Sequence, residues 1–319
     1  MAIERVAVIG AGAWGTALAH AAATAGRQVS LIGRNADVLA EINVAHTNRR
    51  HLGLVRLSPH ISASPRYTGA DLVILAVPAQ ATRAALEALG NLGERVVLTA
   101  KGLEHKTLLR QSEILAELAP DATPYVLSGP SFAADVAAGR PTAVTLAGDD
   151  DEATESVAAA LAGPSFRLYA AGDIAGVELS GALKNIYALA AGAVDGANLG
   201  ASARAGLIAR AFAELGRIVP ALGGRAETLA GLAGLGDLAL SCTSTQSRNY
   251  RHGLALGRGE PPPEELAEGV FTAPVALTLA RGAGVDAPLI EAVNLLLSGT
   301  TSIGRIVASL MSRPLKREY

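Results

Sequence analysis

The sequence predicts an α/β chain: an N-terminal doubly wound parallel sheet followed by a C-terminal all-helical domain. Three observations carry this. Up to about residue 172, short apolar or β-branched runs alternate with helical segments, an order that needs right-handed crossovers and gives a parallel sheet. Runs such as LVILAV (72–77) are almost continuously apolar, the texture of a strand buried on both faces. Beyond residue 172 the chain is rich in Ala and Leu at helical spacing, with no convincing strand.

The first strand, Arg5–Ile9, runs straight into Gly10-x-Gly12-x-x-Gly15 and then into the helix-forming AWGTALA. In that context Gly10 serves a tight turn and Gly12 lets backbone approach a pyrophosphate. Gly15 lets helix pack on strand, and the helix N-terminus receives the negative charge. The loop therefore reads as the dinucleotide fingerprint of a Rossmann-type sheet; a tight turn without a ligand is the plainer alternative. The second strand, Val29–Ile32, ends in Gly33-Arg34-Asn35, with a cation where an acid usually grips the ribose 2′-hydroxyl. Arg34 suits a 2′-phosphate, so NADP should be accepted beside NAD. A solvated Arg34, or one stacked on the adenine, is the competing reading, and Asp37 stands close enough to swing in.

Further strands are expected at Leu72–Val77, Val96–Thr99, Tyr125–Leu127, Ala143–Leu146 and Phe166–Tyr169. Helical segments follow at 172–194, 202–219 and 273–282. Between them RGEPPP (258–263) reads as a surface loop that starts a new helix at the glutamates behind it. The expected division is a dinucleotide-binding domain over 1–172 and a helical substrate and catalytic domain over 173–319.

Composition narrows the function. The 319 residues are 50% hydrophobic and 18% charged, enough apolar material for large cores. A net charge of −2 argues against a nucleic-acid surface built on global basicity, so an anionic partner must be met by a few local cations. The single cysteine, Cys242, excludes an intramolecular disulfide. The six histidines show neither HExxH spacing nor a Cys/His cluster, so no metal is expected. Glu4 and Arg5 before the first apolar run do not read as a signal peptide, and no apolar stretch suits a membrane span. The expectation is a cytoplasmic protein.

Three stretches place polar residues where an apolar pattern would not. LTAKG sets Lys101 just beyond a strand, at the carboxyl edge where doubly wound sheets bind ligands; a solvated loop lysine is the alternative. ELSGALKN sets Lys184 on a helix face shared with Gly181 and Ala188. Small apolar neighbours desolvate an ammonium and lower its pKa, and Lys101 nearby would lower it further, toward general acid–base use. A lysine snorkelling from a core helix is the alternative. In GLAGLGDLALSCTSTQSRN (231–249), Asp237 follows a Gly-rich lead read as flexible, and the run closes on Ser247-Arg248-Asn249, donors suited to a phosphate monoester. A solvated polar loop is the plainer reading of that run. Cys242, without a histidine partner, reads as a small buried residue.

GAGAWGTALA, LAVPAQ, Lys101-Gly102, SGPSFA (128–133), ELSGALKN, GLAGLGDL…SRN and AEGV (267–270) occur in this order. Together, over about residues 5–300, they closely resemble the bacterial NAD(P)-dependent glycerol-3-phosphate dehydrogenase family. The resemblance implies reduction of dihydroxyacetone phosphate to sn-glycerol 3-phosphate for glycerophospholipid synthesis. It implies dinucleotide contacts at Ala13, Trp14, Arg34, Lys101, Ala133, Arg248, Leu266 and Glu268, beside the glycines. Lys184 matches the proton donor/acceptor. Lys101, Gly129, Ser131, Asp237, Ser247, Arg248 and Asn249 match the substrate site, with Asn185 a weaker candidate. Lys101 would stabilise the forming alkoxide, and Asp237 would position Lys184 or a substrate hydroxyl. Related two-domain dehydrogenases acting on 3-hydroxy acids or ketopantoate are the alternative within the enzyme class. A dinucleotide-sensing module without turnover is the alternative outside it, and it has no need of both lysines. The apolar helical half makes a homodimer the expected assembly.

Overall fold

A computed structural model describes residues 2–90 and 92–312; the last residues of the expected second domain, 313–319, lie outside the described residues. One eight-stranded sheet runs in the order β3-β2-β1-β4-β5-β6-β7-β8. Its strands are β1 (Arg5–Ile9), β2 (Gln28–Ile32), β3 (Ile61–Ser64), β4 (Leu72–Leu75), β5 (Arg95–Leu98), β6 (Thr123–Ser128), β7 (Thr142–Ala147) and β8 (Phe166–Ala171). The helices among them are α1 (Ala13–Thr24), α2 (Ala36–Ala45), α3 (Arg49–Leu52), α4 (Thr82–Leu89), α5 (Gln111–Leu118), α6 (Ala133–Ala137) and α7 (Asp151–Leu161). Helices alone follow: α8 (Ile174–Gly196), α9 (Ala201–Ala221), α10 (Ala226–Leu229), α11 (Asp237–Thr243), α12 (Arg248–Arg258), α13 (Glu268–Gly282), α14 (Pro288–Leu297) and α15 (Ile303–Met311).

All four residues of β4 are buried, as the run LVIL requires of a strand covered on both faces. Two features of the sheet depart from the sequence expectation. The edge strand β3 was not foreseen, because ISAS is short and half polar; Asn43 on α2 completes it by exchanging both amide bonds with the Ala63 backbone, at 2.9 and 2.8 Å. The sheet is also not wholly parallel, since β6 pairs with β7 antiparallel. The connection between them holds only the five-residue α6, too short to cross the face of the sheet, so the chain turns back at Gly129 (φ +144°).

Two local readings of the helical half are also corrected. RGEPPP starts no helix at Glu264 or Glu265. Arg258 ends α12, and α13 begins only at Glu268, after an extended Ala267, while Glu265 is tied back to Arg251. The Gly-rich lead to Asp237 is a wide helical turn over Leu232–Gly236 rather than a flexible segment. A Cβ on Gly234 would lie 2.3 Å from the Leu229 carbonyl oxygen, so the glycine there permits close packing.

Helix α8 is the central post of the helical half, with nearly every residue buried. Its glycines set how near its neighbours come: a Cβ on Gly192 would stand 2.0 Å from the Tyr250 carbonyl oxygen, and one on Gly253 would stand 1.9 Å from that of Leu189. Asp173 caps α8 through Gly176 N (2.9 Å) and also accepts from Arg225 N. Glu178, one turn on, accepts from Ser112 N at 2.9 Å and so joins α8 to the start of α5, beside the sheet.

Candidate active site

The glycine loop has the form of an anion cradle. A Cβ on Gly10 would fall 2.4 Å from the Ala76 carbonyl oxygen, and one on Gly15 would fall 1.9 Å from that of Gly10. Those two glycines are demanded by the protein's own packing. Gly12 is not: a Cβ there meets nothing within 4 Å. It caps α1, a twelve-residue helix with no side-chain cap and no acid in its first turn, so the amides around Ala13 and Trp14 are left for an outside anion. The space and the donors fit a dinucleotide pyrophosphate. Asn48, fully buried, holds the loop from outside by donating to the Ala11 carbonyl (3.2 Å) and to Thr16 Oγ1 (2.8 Å). Arg34 stands exposed just past β2, and Asn35 caps α2 through Val38 N at 3.0 Å.

At the carboxyl edge of the sheet two lysines converge on one acid. Lys101, beyond β5, donates to Asp237 Oδ2 (2.7 Å) and to the Gly129 carbonyl (2.9 Å). Lys184, on α8, donates to Asp237 Oδ1 (2.8 Å) and to Ser241 Oγ (2.5 Å). Lys184 and Asp237 are both buried, while Lys101 keeps some access to solvent. Gly181, one turn before Lys184, makes room for this meeting: a Cβ there would sit 2.6 Å from Ser128 Oγ and 3.6 Å from Lys101 Cγ. Ser131 completes the cluster by donating to the same Gly129 carbonyl at 3.0 Å.

The electrostatics follow from burial and count. Burial pushes the Lys184 pKa below its ordinary value; Asp237 opposes that, and Lys101 adds to it. Burial alone would raise the Asp237 carboxyl, but two ammonium groups hold it below the ordinary carboxylate range. Cys242, fully buried, is pushed up to about 12 by that burial, which makes it no nucleophile.

The SRN run divides. Ser247 caps α12, accepting from Tyr250 N at 3.3 Å, and Arg248 stands exposed in the first turn. Asn249 is buried and already committed: it donates to Asn185 Oδ1 and accepts from Gly269 N, both at 2.9 Å. Asn185 in turn donates to the Lys101 carbonyl at 2.9 Å. Glu268, first in α13, accepts from Ala79 N at 3.1 Å with Oε1, while its buried Oε2 has no partner. Burial raises its pKa, against the pull of the Arg248 charge. Leu266 is half-buried in the strand-free lead to α13, and Ala133 begins α6 after the SGPS turn.

The structure therefore gathers Lys101, Lys184, Asp237, Gly129 and Ser131 into one cluster, and links Asn185, Asn249 and the start of α13 into a chain of amides behind it. Arg34 stands apart, exposed just past β2. Sequence reasoning missed Ser241 and Asn48. Ser241 was within reach, because four residues after Asp237 on a helix it must share that face. Among the described residues no group of His, Cys, Asp and Glu could hold a metal ion.

Known sequences decide the family. The profile of the NAD-dependent glycerol-3-phosphate dehydrogenase N-terminus matches residues 5–154, and that of its C-terminus matches residues 173–308. The chain belongs to the NAD-dependent glycerol-3-phosphate dehydrogenase family. A glycerol-3-phosphate dehydrogenase [NAD(P)+] of Brucella canis is 50% identical, covering 98% of this chain and 99% of the relative. The crystal structure of a glycerol-3-phosphate dehydrogenase from Coxiella burnetii superposes with a TM-score of 0.91 at 36% identity, over 98% of this chain and 99% of that one. A probable 2-dehydropantoate 2-reductase of Bacillus subtilis shares the fold more distantly, with a TM-score of 0.58 at 16% identity over 95% of this chain and 99% of that one.

Proposed function

We propose that this chain catalyses the reversible NAD(P)-dependent reduction of dihydroxyacetone phosphate to sn-glycerol 3-phosphate. The observation that carries the reading is the buried Asp237 carboxylate shared by Lys101 and Lys184. Two cations on one anion leave the site with a net positive charge, suited to a phosphorylated ketone whose carbonyl oxygen becomes an alkoxide.

Gly10, Gly12, Ala13, Trp14 and Gly15 would hold the pyrophosphate of the dinucleotide, with Arg34 toward its adenosine end and Ala133, Arg248, Leu266 and Glu268 lining the rest. When bound, the nicotinamide supplies the hydride. Lys184 donates a proton from Nζ to the forming alkoxide and takes it back in the oxidative direction. Its lowered pKa eases the release of that proton, and Asp237 keeps enough of the charged form for it to act. Lys101, held on Asp237 and Gly129 with some access to solvent, stabilises the developing negative oxygen, a contribution of about 3 kcal/mol for a single well-aimed donor. Gly129 and Ser131 border the carbonyl end. Ser247 and Arg248, at the N-terminus of α12, receive the phosphate, with Asn249 positioned behind them.

The test is oxidation of NADPH by purified protein with dihydroxyacetone phosphate against ketopantoate. Turnover with the phosphorylated ketone alone supports the reading, and turnover with ketopantoate alone overturns it. We further place the enzyme in the cytoplasm as a homodimer; light scattering on the eluted protein and cell fractionation check those two statements. No helix of the described residues is long and apolar enough to cross a membrane.

A further inference from the structure

Residues 99–104 belong to no helix and no strand ladder, yet Lys101 must leave this loop at a defined angle to reach Asp237. Its two ends are tied by backbone bonds, Thr99 N to the Leu75 carbonyl at 3.3 Å and Glu104 N to that of Leu109 at 2.9 Å; the stretch between them is held by side chains. Three successive carbonyls each accept from an amide of a different element. The Lys101 oxygen takes Asn185 Nδ2 from α8 at 2.9 Å. The Gly102 oxygen takes Gln111 Nε2 from α5 at 2.8 Å, and the Leu103 oxygen takes Gln80 Nε2 from the turn after β4 at 2.7 Å. Gln80 closes its side by accepting from His105 N at 3.0 Å, so it pairs with the loop as a neighbouring strand would.

Gln111 shows what this bracket is for. It is 1% exposed, and its Oε1 is buried without a hydrogen-bond partner. A buried amide with an orphaned oxygen is no gain over an apolar side chain of similar size. What the amide uniquely supplies is the bond to Gly102.

We propose that Gln80 and Gln111, with Asn185, are positioning residues that fix the Lys101 backbone and so aim its ammonium at the reacting oxygen. The proposal rests on the role given to Lys101 above. Fixing three consecutive carbonyls fixes the peptide planes from which the lysine stem departs. A displacement of about 1 Å at a reacting group costs about 100-fold in rate.

The experiment is a double-mutant cycle in the full-length enzyme. Gln111→Leu and Gln80→Met are each made alone and on a Lys101→Met background, and kcat, the KM for NADPH and Tm are measured. Each single variant is expected to lose about 10-fold or more in kcat, with the NADPH KM within about 2-fold and Tm close to the parent's. On the Lys101→Met background the same changes should cost less than about 2-fold, because residues that act through one group are not additive. A purely structural role would multiply the losses on both backgrounds, and that result overturns the proposal. So does a parental kcat in either folded single variant. Gln80 is only partly buried, so Gln80→Met decides the matter should Gln111→Leu fail to fold. A parental kcat in Lys101→Met would overturn the role of Lys101 itself, an outcome separate from failure of the bracket.

Discussion

Lys101 and Lys184 donate to opposite oxygens of one buried carboxylate, Asp237, at 2.7 and 2.8 Å. One lysine comes from the edge of the sheet and the other from the central helix, so the acid joins the two halves of the chain, as Glu178, Glu268 and Asn185 do elsewhere. Each lysine sees the other as well as the acid, which is why neither can be altered without changing the remaining pair.

Lys184→Ala removes the proposed proton donor. We expect kcat to fall by about 100- to 10,000-fold, with NADPH affinity by fluorescence titration within about 3-fold. Near-parental turnover would remove Lys184 from the chemistry.

The pH dependence should run in opposite senses in the two directions. Ketone reduction needs protonated Lys184, so its rate falls as pH rises through the lowered lysine pKa; alcohol oxidation needs the neutral amine, so its rate rises there. Asp237 holds that pKa up against burial and Lys101. In Asp237→Asn the basic limb of the reduction profile should therefore move to lower pH. The same variant leaves two ammonium groups without their counter-charge, a loss of about 3 kcal/mol in stability that urea denaturation would read. A basic limb that stays in place would show that Lys184 is not the titrating group.

Gly12→Ala and Gly15→Ala should fail differently, although both are glycines of one loop. A Cβ at Gly15 strikes the Gly10 carbonyl, and overpacking of that kind costs about 1–3 kcal/mol, visible as a lower Tm. A Cβ at Gly12 meets no protein atom, so Tm should hold while dinucleotide affinity drops. Equal Tm losses in the two variants would mean that the open space above Gly12 is not the cradle.

Arg34→Asp should weaken NADPH more than NADH, because the role proposed for the exposed guanidinium past β2 is to meet a 2′-phosphate. Isothermal titration with both dinucleotides measures this. Equal losses would mean that Arg34 stacks on the adenine or stays in solvent.

The glycine loop and the strands around it could be read from the chain because their signal is local: spacing, apolar runs, a helix beginning at once. The same holds for Lys184 on its small-residue helix face. What could not be read depends on partners distant in sequence. β3 becomes a strand because Asn43 and β2 satisfy its backbone, and β7 turns antiparallel because α6 is too short to cross. Asn249 looked like a free donor in SRN, but Asn185 and Gly269 already use its amide. Gln80 was visible in LAVPAQ and Gln111 lay outside every motif; their roles exist only once the loop of Lys101 has folded against them.

An ammonium group has three hydrogens to give. Lys101 spends one on Gly129 and one on Asp237, and Lys184 spends one on Asp237 and one on Ser241. Each lysine is thus left with a single N–H whose direction is set by the other two. A pair of flexible point charges has become two fixed prongs, each with one donor left to offer and little freedom to turn it elsewhere.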